Sequence, residues 1–527
     1  MANEPDYELV REKITLDQRI GKESTQVFIE GDIIVPDVKP DMGVILQSDA
    51  NITIDSAEAS TDRVNILGKL EIQVIYLAKT SEKPIHSMSV TSPIDDFVNM
   101  EGVNKEAWVE ARAFISNASY KMLNDRKLQY KIVADIVIIG ECANTHDIVT
   151  DIRGIAKNQL LRTNLNLNKS VENKHDTFIV KDDLPVPSGK PNIREILQSS
   201  VSVSPKEIRV MNGKVTVSGN VNITALYKGD TDASMIEFTE YETPFSGVIE
   251  VGAAREEHTA DVALYIAEKH IRIRPDADGE DRVMEAEIMV GAVVKVHCQQ
   301  NMDILRDAYC IDKTLNLTKT RIKYPQQICR NKNQCPVKDI VQLEEKSPDI
   351  LQVFKVSGKP FIDETRIIDD KVIVEGAIEA DVLYVAQSDE TPLYSFKSYV
   401  PFKQTIETKG ARADMSVSVE ATVEHSGFNM LGSREIELRF SLNFNTQVTK
   451  EQEAEMVTDV AFEEIDKSVL EAMPSMIIYV VQPQDCLWKI AKLYNVPVDE
   501  LAGVNYIEGG ADVTPGQKLL VLKKVVN

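Results

Sequence analysis

The sequence has few of the residues that usually mark a reactive centre or a disulfide-linked fold. Six cysteines, seven histidines and two tryptophans occur in 527 residues, and aromatic residues make up 6% of the chain. The cysteine spacing does not suggest a disulfide framework, and a reducing compartment would keep these residues as thiols. The histidines are scattered and form no constellation. We therefore do not expect a small disulfide-stabilised secreted fold.

Long apolar runs are also missing. No stretch approaches the roughly 20 apolar residues that span a bilayer. The first ten residues, MANEPDYELV, lack the basic start and the apolar run of a secretory signal. We therefore expect a cytoplasmic protein with no direct membrane insertion.

Basic residues are in deficit. The 59 lysines and arginines stand against 83 aspartates and glutamates, which gives a formal charge of −24. Such a surface repels phosphate backbones, so we expect no nucleic acid partner. It argues equally against passive docking on anionic lipid.

The signatures of common catalytic and cofactor sites are absent. The sequence has no Walker A pattern, no Gly-x-Gly-x-x-Gly, no Gly-x-Ser-x-Gly and no His-Glu-x-x-His. Cys329 and Cys335, with His297 and Cys298 upstream, are the one hint of metal ligands, and their five-residue gap is wider than that of a zinc knuckle. We predict no catalytic residue, no cofactor and no metal site, and hence no enzyme.

What the sequence does contain is an internal repeat. In each of three copies a proline precedes Asp or Asn, a glycine follows 28 positions later, and a tyrosine follows after eight more. A second proline, a second glycine and an arginine complete each set. The sets are Pro40, Gly68, Tyr76, Pro93, Gly102 and Arg126; Pro191, Gly219, Tyr227, Pro244, Gly252 and Arg282; and Pro348, Gly376, Tyr384, Pro401, Gly410 and Arg434. These landmarks predict three copies of one domain.

The residues around the central glycine alternate between apolar and polar. In the second copy, apolar residues occupy the odd positions from Val215 to Tyr227, and a second alternating run follows at 284–290. A period of two predicts strands with one buried face. A glycine within a strand usually marks a bulge or a close approach of two backbones. We therefore predict antiparallel β domains, with helix limited to short pieces such as Ile193–Leu197.

The landmark residues themselves favour structural roles. The tyrosines fall on the buried face, which predicts that they belong to the core. The arginines are suited to anchoring a strand end through a carboxylate. The predicted β domains span 8–155, 160–310 and 312–449.

The pattern changes after Val448. Residues 450–472 carry eight acidic and two basic side chains. We predict an acidic linker over 450–474, either a short helix or a solvated spacer, that ends at Pro474.

A small module follows at 475–524. Its pattern predicts a strand at Ile477–Val481, a helix capped by Asp485, a second helix at Val498–Val504 and a closing strand at Lys518–Leu522. The apolar stripe of the first helix is Leu487, Ile490, Ala491 and Tyr494. This βααβ order, with the Pro515-Gly516 turn, resembles a LysM domain.

LysM domains commonly bind N-acetylglucosamine polymers in a groove between the loop before the first helix and the loop after the second. Gln484-Asp485-Cys486 stands where the family usually has Gly-Asp-Thr or Gly-Asp-Ser. Glutamine replaces the glycine that leaves room for a sugar, and a thiol is a weaker donor than a hydroxyl. Glycan binding is therefore disfavoured.

Trp488 lies beside the apolar stripe of the first helix. A partly exposed tryptophan is a typical anchor of a protein interface. The alternative is that it packs against the terminal strand, and the sequence leaves both open. The predicted partner-binding residues are Trp488, Leu487, Lys489, Gln484, Asp485 and Asn505.

The whole chain resembles the SipL family of endospore-forming bacteria, and its repeats look like SPOCS domains. The resemblance rests on Lys39-Pro40-Asp41-Met42, on Lys190-Pro191-Asn192-Ile193 and on the LysM segment. The third copy departs, because Ser347 stands between Lys346 and Pro348.

The resemblance implies a spore coat morphogenetic adaptor in the mother cell, at the forespore surface. Its LysM domain would bind SpoIVA, the ATPase of the coat basement layer, and so promote encasement of the forespore; other coat proteins are further candidate partners. The alternative is a peptidoglycan-binding protein of the cell wall or the spore cortex.

Overall fold

The computed structural model describes residues 7–80, 84–155, 157–231, 236–388, 392–464, 474–507 and 513–522. These residues form three repeated antiparallel β domains and a small C-terminal module with two short helices. The predicted fold class, mainly β with a βααβ module at the C-terminus, is confirmed.

Each repeat contains six strands in the same order. Repeat 1 has β1 (Glu8–Ile34), β2 (Met42–Ser60), β3 (Arg63–Ala78), β4 (Ile85–Asn99), β5 (Trp108–Asn124) and β6 (Lys127–Arg153). Repeat 2 has β7 (Asn158–Pro185), β8 (Ile193–Met211), β9 (Lys214–Gly229), β10 (Ile236–Glu250), β11 (Thr259–Pro275) and β12 (Asp281–Cys310). Repeat 3 has β13 (Lys313–Gln342), β14 (Ile350–Ile368), β15 (Lys371–Ala386), β16 (Leu393–Glu407), β17 (Ser416–Met430) and β18 (Glu435–Glu464).

Two three-stranded sheets build each repeat. The sheet orders in repeat 1 are β1-β6-β5 and β2-β3-β4, and the other repeats follow the same plan. The predicted alternating runs form the central strands of these sheets, and their apolar residues are buried. Because a period of two sends every second side chain inward, the two central strands supply most of each core.

The landmark tyrosines and prolines meet at one turn in each repeat. The hydroxyls of Tyr76, Tyr227 and Tyr384 donate to the carbonyls of Pro40, Pro191 and Pro348 at 3.0, 3.2 and 2.8 Å. Burial raises the pKa of each tyrosine to about 12, so the hydroxyl stays protonated and continues to donate. The prediction that these tyrosines belong to the core is confirmed.

The landmark arginines bind the same turn. Arg126 donates to Asp41 at 2.8 Å and Arg434 donates to Asp349 at 2.6 Å, while Arg282 donates to the amide oxygen of Asn192 at 2.8 Å. Each guanidinium also donates to backbone carbonyls of the turn. Anchoring through a carboxylate is thus confirmed in repeats 1 and 3, and an amide takes its place in repeat 2.

The lysine of the Lys-Pro pair has a structural role in two repeats. Lys39 donates to the carbonyl of Ser87 at 2.5 Å, and Lys190 donates to the corresponding carbonyl of Phe238. Both bonds tie the turn to the fourth strand of the repeat. Ser347 occupies this position in repeat 3 and accepts a bond from Arg434 through its backbone carbonyl.

The central glycines lie where two backbones approach closely. A Cβ on Gly68, Gly219 or Gly376 would come within 2.5, 2.2 or 2.1 Å of a carbonyl oxygen on the second strand of the repeat. That strand carries a bulge at the same level, between Ile54 and Ser56 in repeat 1. Both features predicted for these glycines, the bulge and the close approach, are therefore confirmed.

The three repeats close on one another around shared apolar clusters. One cluster combines Val149 and Ile152 of β6, Leu305 and Ala308 of β12, and Val457 and Val460 of β18. Two further clusters also draw residues from all three repeats. In two of these clusters the long first and last strands of the repeats meet, and in the third the strands of the second sheets meet.

A ring of ion pairs reinforces this closure. Asp151 pairs with Arg162 at 2.8 Å, Asp307 with Lys319 at 3.0 Å, and Asp459 with Arg11 at 2.6 Å. The three aspartates each lie 25 residues after a landmark arginine, and their partners each lie 29 residues before a landmark proline. The pairs are thus equivalent, and they join repeat 1 to 2, 2 to 3 and 3 to 1.

Two sequence-based predictions about secondary structure are wrong. Ile193–Leu197 is not helical but begins strand β8. Residues 450–464 are not a linker, because they continue β18 and pair with β13. Met456, Val457 and Val460 are buried in the shared clusters, and a bulge at Thr458 gives their spacing its helix-like appearance. The rest of the predicted linker, 465–473, lies outside the described residues.

Candidate partner-binding site

The C-terminal module folds as a two-stranded sheet covered by two short helices. Strands β19 (Met476–Val480) and β20 (Lys518–Leu522) pair antiparallel, with α1 (Leu487–Leu493) and α2 (Val498–Val504) between them. The predicted order and the bounds of α2 and β20 are confirmed. The buried core of the module includes Ile490, Ala491, Val496, Leu501, Leu519 and Val521.

Asp485 organises the loop before α1 but does not cap the helix as predicted. The residue at the N-cap of α1 is Cys486, whose side chain makes no capping hydrogen bond. The Asp485 carboxylate instead accepts bonds from the Tyr479 hydroxyl at 2.7 Å and from the Gln482 backbone N–H at 2.8 Å. The Tyr479 bond, followed by the Gln482 bond, holds the pKa of Asp485 below its usual range. The carboxylate therefore ties the loop to β19.

Gln484 and Lys489 lie exposed at the start of α1. The Gln484 backbone is in the left-handed region, with φ at 71°, where glycine is the favoured residue. The Lys489 ammonium donates to the Gln484 carbonyl at 2.8 Å. The loop thus keeps the backbone shape that a glycine would adopt while carrying a long side chain.

Asn505 and Leu487 have internal roles. The Asn505 amide donates to the carbonyls of Leu501 and Leu520 at 2.8 Å, and its oxygen accepts from the Leu520 N–H at 2.6 Å. The two bonds to Leu520 fasten the end of α2 to β20, and the bond to Leu501 stays within α2. Leu487 is half-buried against the module core.

Trp488 faces repeat 2 of the β body, the unit formed by the three repeats. Its indole N–H donates to Asp307 at 2.8 Å, and its ring packs edge-on against Tyr309 with centroids 5.0 Å apart. The neighbouring Lys492 donates to the other oxygen of Asp307 at 2.7 Å. Sequence reasoning missed this contact, because nothing in the local pattern points to a partner 181 positions away.

The contact with repeat 2 includes the turn between the helices. The Tyr309 hydroxyl donates to the Val496 carbonyl at 2.7 Å, and the Val498 N–H donates to the Gln159 side chain at 3.4 Å. Burial raises the pKa of Tyr309 above its usual value. Burial also raises the pKa of Asp307, but bonds from Lys492, Trp488 and Lys319 outweigh it and hold that pKa below its usual range.

Models of known protein families match both the β repeats and the C-terminal module. The model described as SipL, SPOCS domain, matches residues 41–123, 192–274 and 349–431, and the LysM domain model matches residues 479–521. Together the matches cover more than half of the chain. The chain belongs to the SipL family of SPOCS-domain proteins. This membership associates it with sporulation, and both domain families are non-catalytic. No curated protein and no solved structure matches.

The SPOCS matches cover the second to fifth strands of each repeat. The long first and last strands, which build two of the three shared clusters and the ring of ion pairs, lie outside the matches. Within the described residues, no helix has the length and apolar character needed to cross a membrane.

The LysM sheet presents an apolar surface on the side away from the helices. Met476, Ile478 and Val480 of β19 and Leu522 of β20 are 62%, 68%, 42% and 40% exposed. Met476 pairs with Leu522, and Ile478 pairs with the half-buried Leu520. These five residues form the LysM outer face. The signal in the sequence was the unbroken apolar run of β19, which lacks the polar alternation of a strand with one solvated side.

Proposed function

We propose that this chain is a non-enzymatic adaptor of spore coat assembly. It binds the coat ATPase SpoIVA through its LysM domain and promotes encasement of the forespore. It acts in the mother-cell cytoplasm, at the forespore surface. Membership of the SipL family supports the assembly role, and the three SPOCS repeats supply a rigid body and further docking surface for coat proteins.

The LysM outer face is the observation that carries the protein-binding proposal. Its apolar side chains are exposed in a chain with a formal charge of −24. Covering apolar area contributes about 25 cal/mol per Å², and an exposed patch that is not scattered usually marks an interaction site. Of the predicted site residues, Gln484 and Lys489 are exposed at the start of α1 and are further candidates for contact with the partner.

Co-purification with the coat ATPase tests this function. In the full-length chain, Ile478→Lys introduces a charge on the outer face and should abolish capture of the ATPase. Leu493→Lys is the matched control, because Leu493 is 60% exposed on α1 and lies outside this face. Capture that survives Ile478→Lys would contradict the proposed surface.

A parallel set of binding experiments tests the alternative function, peptidoglycan binding. Purified peptidoglycan and N-acetylglucosamine oligomers are offered to the same proteins. We expect no retention, because Gln484 fills the glycine position and the Asp485 carboxylate is engaged by Tyr479 and Gln482. Retention on glycan together with no capture of the ATPase would favour a peptidoglycan-binding protein.

A further inference from the structure

The helical side of the LysM domain rests on three residues of repeat 2. Gln159, Asp307 and Tyr309 form this seat, which receives Trp488 and Lys492 of α1 and the turn at Val496–Val498. The Asp307 side chain is only 14% exposed. A buried carboxylate with three donors around it fixes the position of each donor.

The seat completes the LysM core. Tyr309 is 3% exposed and belongs to the same apolar cluster as Ile490, Val496 and Leu501 of the LysM domain. Separation of the two domains would expose that cluster and leave the Val496 carbonyl and the Trp488 N–H without these partners. The LysM fold therefore depends on repeat 2 for part of its own interior.

Only one of the three equivalent positions in the ring carries the seat. Asp151 and Asp459 correspond to Asp307, but they are bound by arginines: Arg162 and Arg153 in one case and Arg11 in the other. The positions that correspond to Tyr309 hold Arg153 and Ala461. Neither offers an apolar ring for an indole.

The two carboxylate oxygens of Asp307 bind different donors. The Lys319 and Lys492 ammonium groups both contact Oδ1 of Asp307, and Trp488 donates to Oδ2. Arg162 and Arg11 likewise bind a single oxygen, Oδ1, of Asp151 and Asp459. The seat is therefore specific to repeat 2 through the residues that surround its aspartate, above all Tyr309.

We infer that the Asp307 seat positions the LysM domain for its partner. Trp488 acts as a positioning residue that holds LysM on repeat 2, and the partner contacts the outer face on the opposite side of the same domain. Met476, Ile478 and Val480 are exposed while the LysM domain is docked, so the outer face can bind the partner without displacing the domain from repeat 2. This inference rests on the proposed function.

Tryptophan fluorescence of the full-length chain measures docking directly. The chain has two tryptophans, so Trp108→Phe leaves Trp488 as the only reporter. In that background Asp307→Ala and Tyr309→Ala should shift Trp488 emission to the red and increase its quenching by acrylamide. Asp151→Ala removes the equivalent ring aspartate and should leave the Trp488 signal unchanged. A Trp488 signal that Asp307→Ala and Tyr309→Ala do not alter would overturn the seat.

Capture of the coat ATPase by the same variants tests positioning. Asp307→Ala and Tyr309→Ala, which lie outside LysM, should weaken capture by about tenfold, the equivalent of one or two lost hydrogen bonds. Asp151→Ala should bind normally, and circular dichroism melting checks that the β body remains folded in every variant. If a variant loses docking but captures the ATPase as well as the unsubstituted chain does, the seat does not position the LysM domain for its partner. Failure of the unsubstituted chain to capture the ATPase would instead mean that the proposed function has failed, which separates the two outcomes.

Discussion

The hydroxyl of Tyr384 donates a hydrogen bond to the carbonyl of Pro348, 36 residues earlier in the chain, at 2.8 Å. Tyr76 and Tyr227 make the same bond at the same separation in sequence. Each bond joins the buried central strand of one sheet to the turn that links the two sheets of a repeat. The recurrence of Pro and Tyr at one spacing is therefore the trace of a single tertiary contact.

Tyr384→Phe should destabilise repeat 3 by about 1 kcal/mol, because the carbonyl of Pro348 loses its buried donor while the ring remains. Urea unfolding followed by circular dichroism measures the change. Tyr506→Phe is the control, since Tyr506 is 95% exposed and should unfold like the wild type. An equal effect of both substitutions would mean that the Tyr384 bond contributes nothing.

Gly376→Ala should destabilise the same repeat by about 2 kcal/mol or more, because overpacking forces a backbone shift. The new Cβ would lie 2.1 Å from the Phe361 carbonyl and 2.9 Å from the Phe402 ring. Gly427→Ala is the matched control on β17, where nothing lies within 4 Å. Thermal unfolding of the two variants should differ clearly; similar midpoints would show that β14 relaxes without cost.

Gln484→Gly should stabilise the LysM domain by up to about 1 kcal/mol, since the left-handed backbone at this position costs a residue with a Cβ roughly that much. Gln482→Gly in the same loop should instead destabilise the LysM domain. Gln482 donates a side-chain hydrogen bond to the Val480 carbonyl at 2.8 Å and has no positive φ that a glycine would relieve. Differential scanning calorimetry reports both. A decrease in stability for Gln484→Gly would show that the side chain contributes more than the strain removes.

Acid should weaken the junction between repeats 2 and 3. Burial raises the pKa of Asp261, but bonds from His297 and Arg330 outweigh it and lower that pKa to about 2. A depressed folded-state pKa gives stability that is present above the unfolded value of 3.8 and is lost as the pH falls toward 2. The difference in unfolding midpoint between wild type and Asp261→Asn should therefore be constant near neutrality and shrink below about pH 4. A difference that stays constant down to pH 3 would exclude the ion pair as its cause.

Much of the fold could be predicted because the same pattern recurs three times in the chain. The alternating runs and the close approach at Gly376 depend on local period and backbone sterics, which sequence reveals directly. The arginine anchors were predicted only as to their kind, because Arg434 and Asp349 lie 85 residues apart. The strand at 450–464 was missed because the bulge at Thr458 replaces the two-residue period with a helix-like spacing. A bulge of this kind is decided by the neighbours that bury Met456 and Val460, and these come from other repeats.

The candidate site was less accessible to sequence reasoning. The LysM fold and its departure at Gln484 could be read from residue types, but the neighbour of Trp488 could not. Asp307 looks like any aspartate of an acidic chain until the ring of ion pairs places it beside Tyr309 and the LysM helices. Its two counterparts, Asp151 and Asp459, show that position alone does not create a seat.

The joining of the three repeats end to end by peptide bonds has a consequence for how the body responds to dilution. Three separate subunits would associate only above a threshold protein concentration. Here the repeats are joined by short connections, so each repeat meets its neighbours at a fixed effective concentration. Lowering the protein concentration therefore does not open the body. A chain cut after the second unit would instead present Val149 and Leu305 to water and would be expected to recruit a third unit from another molecule.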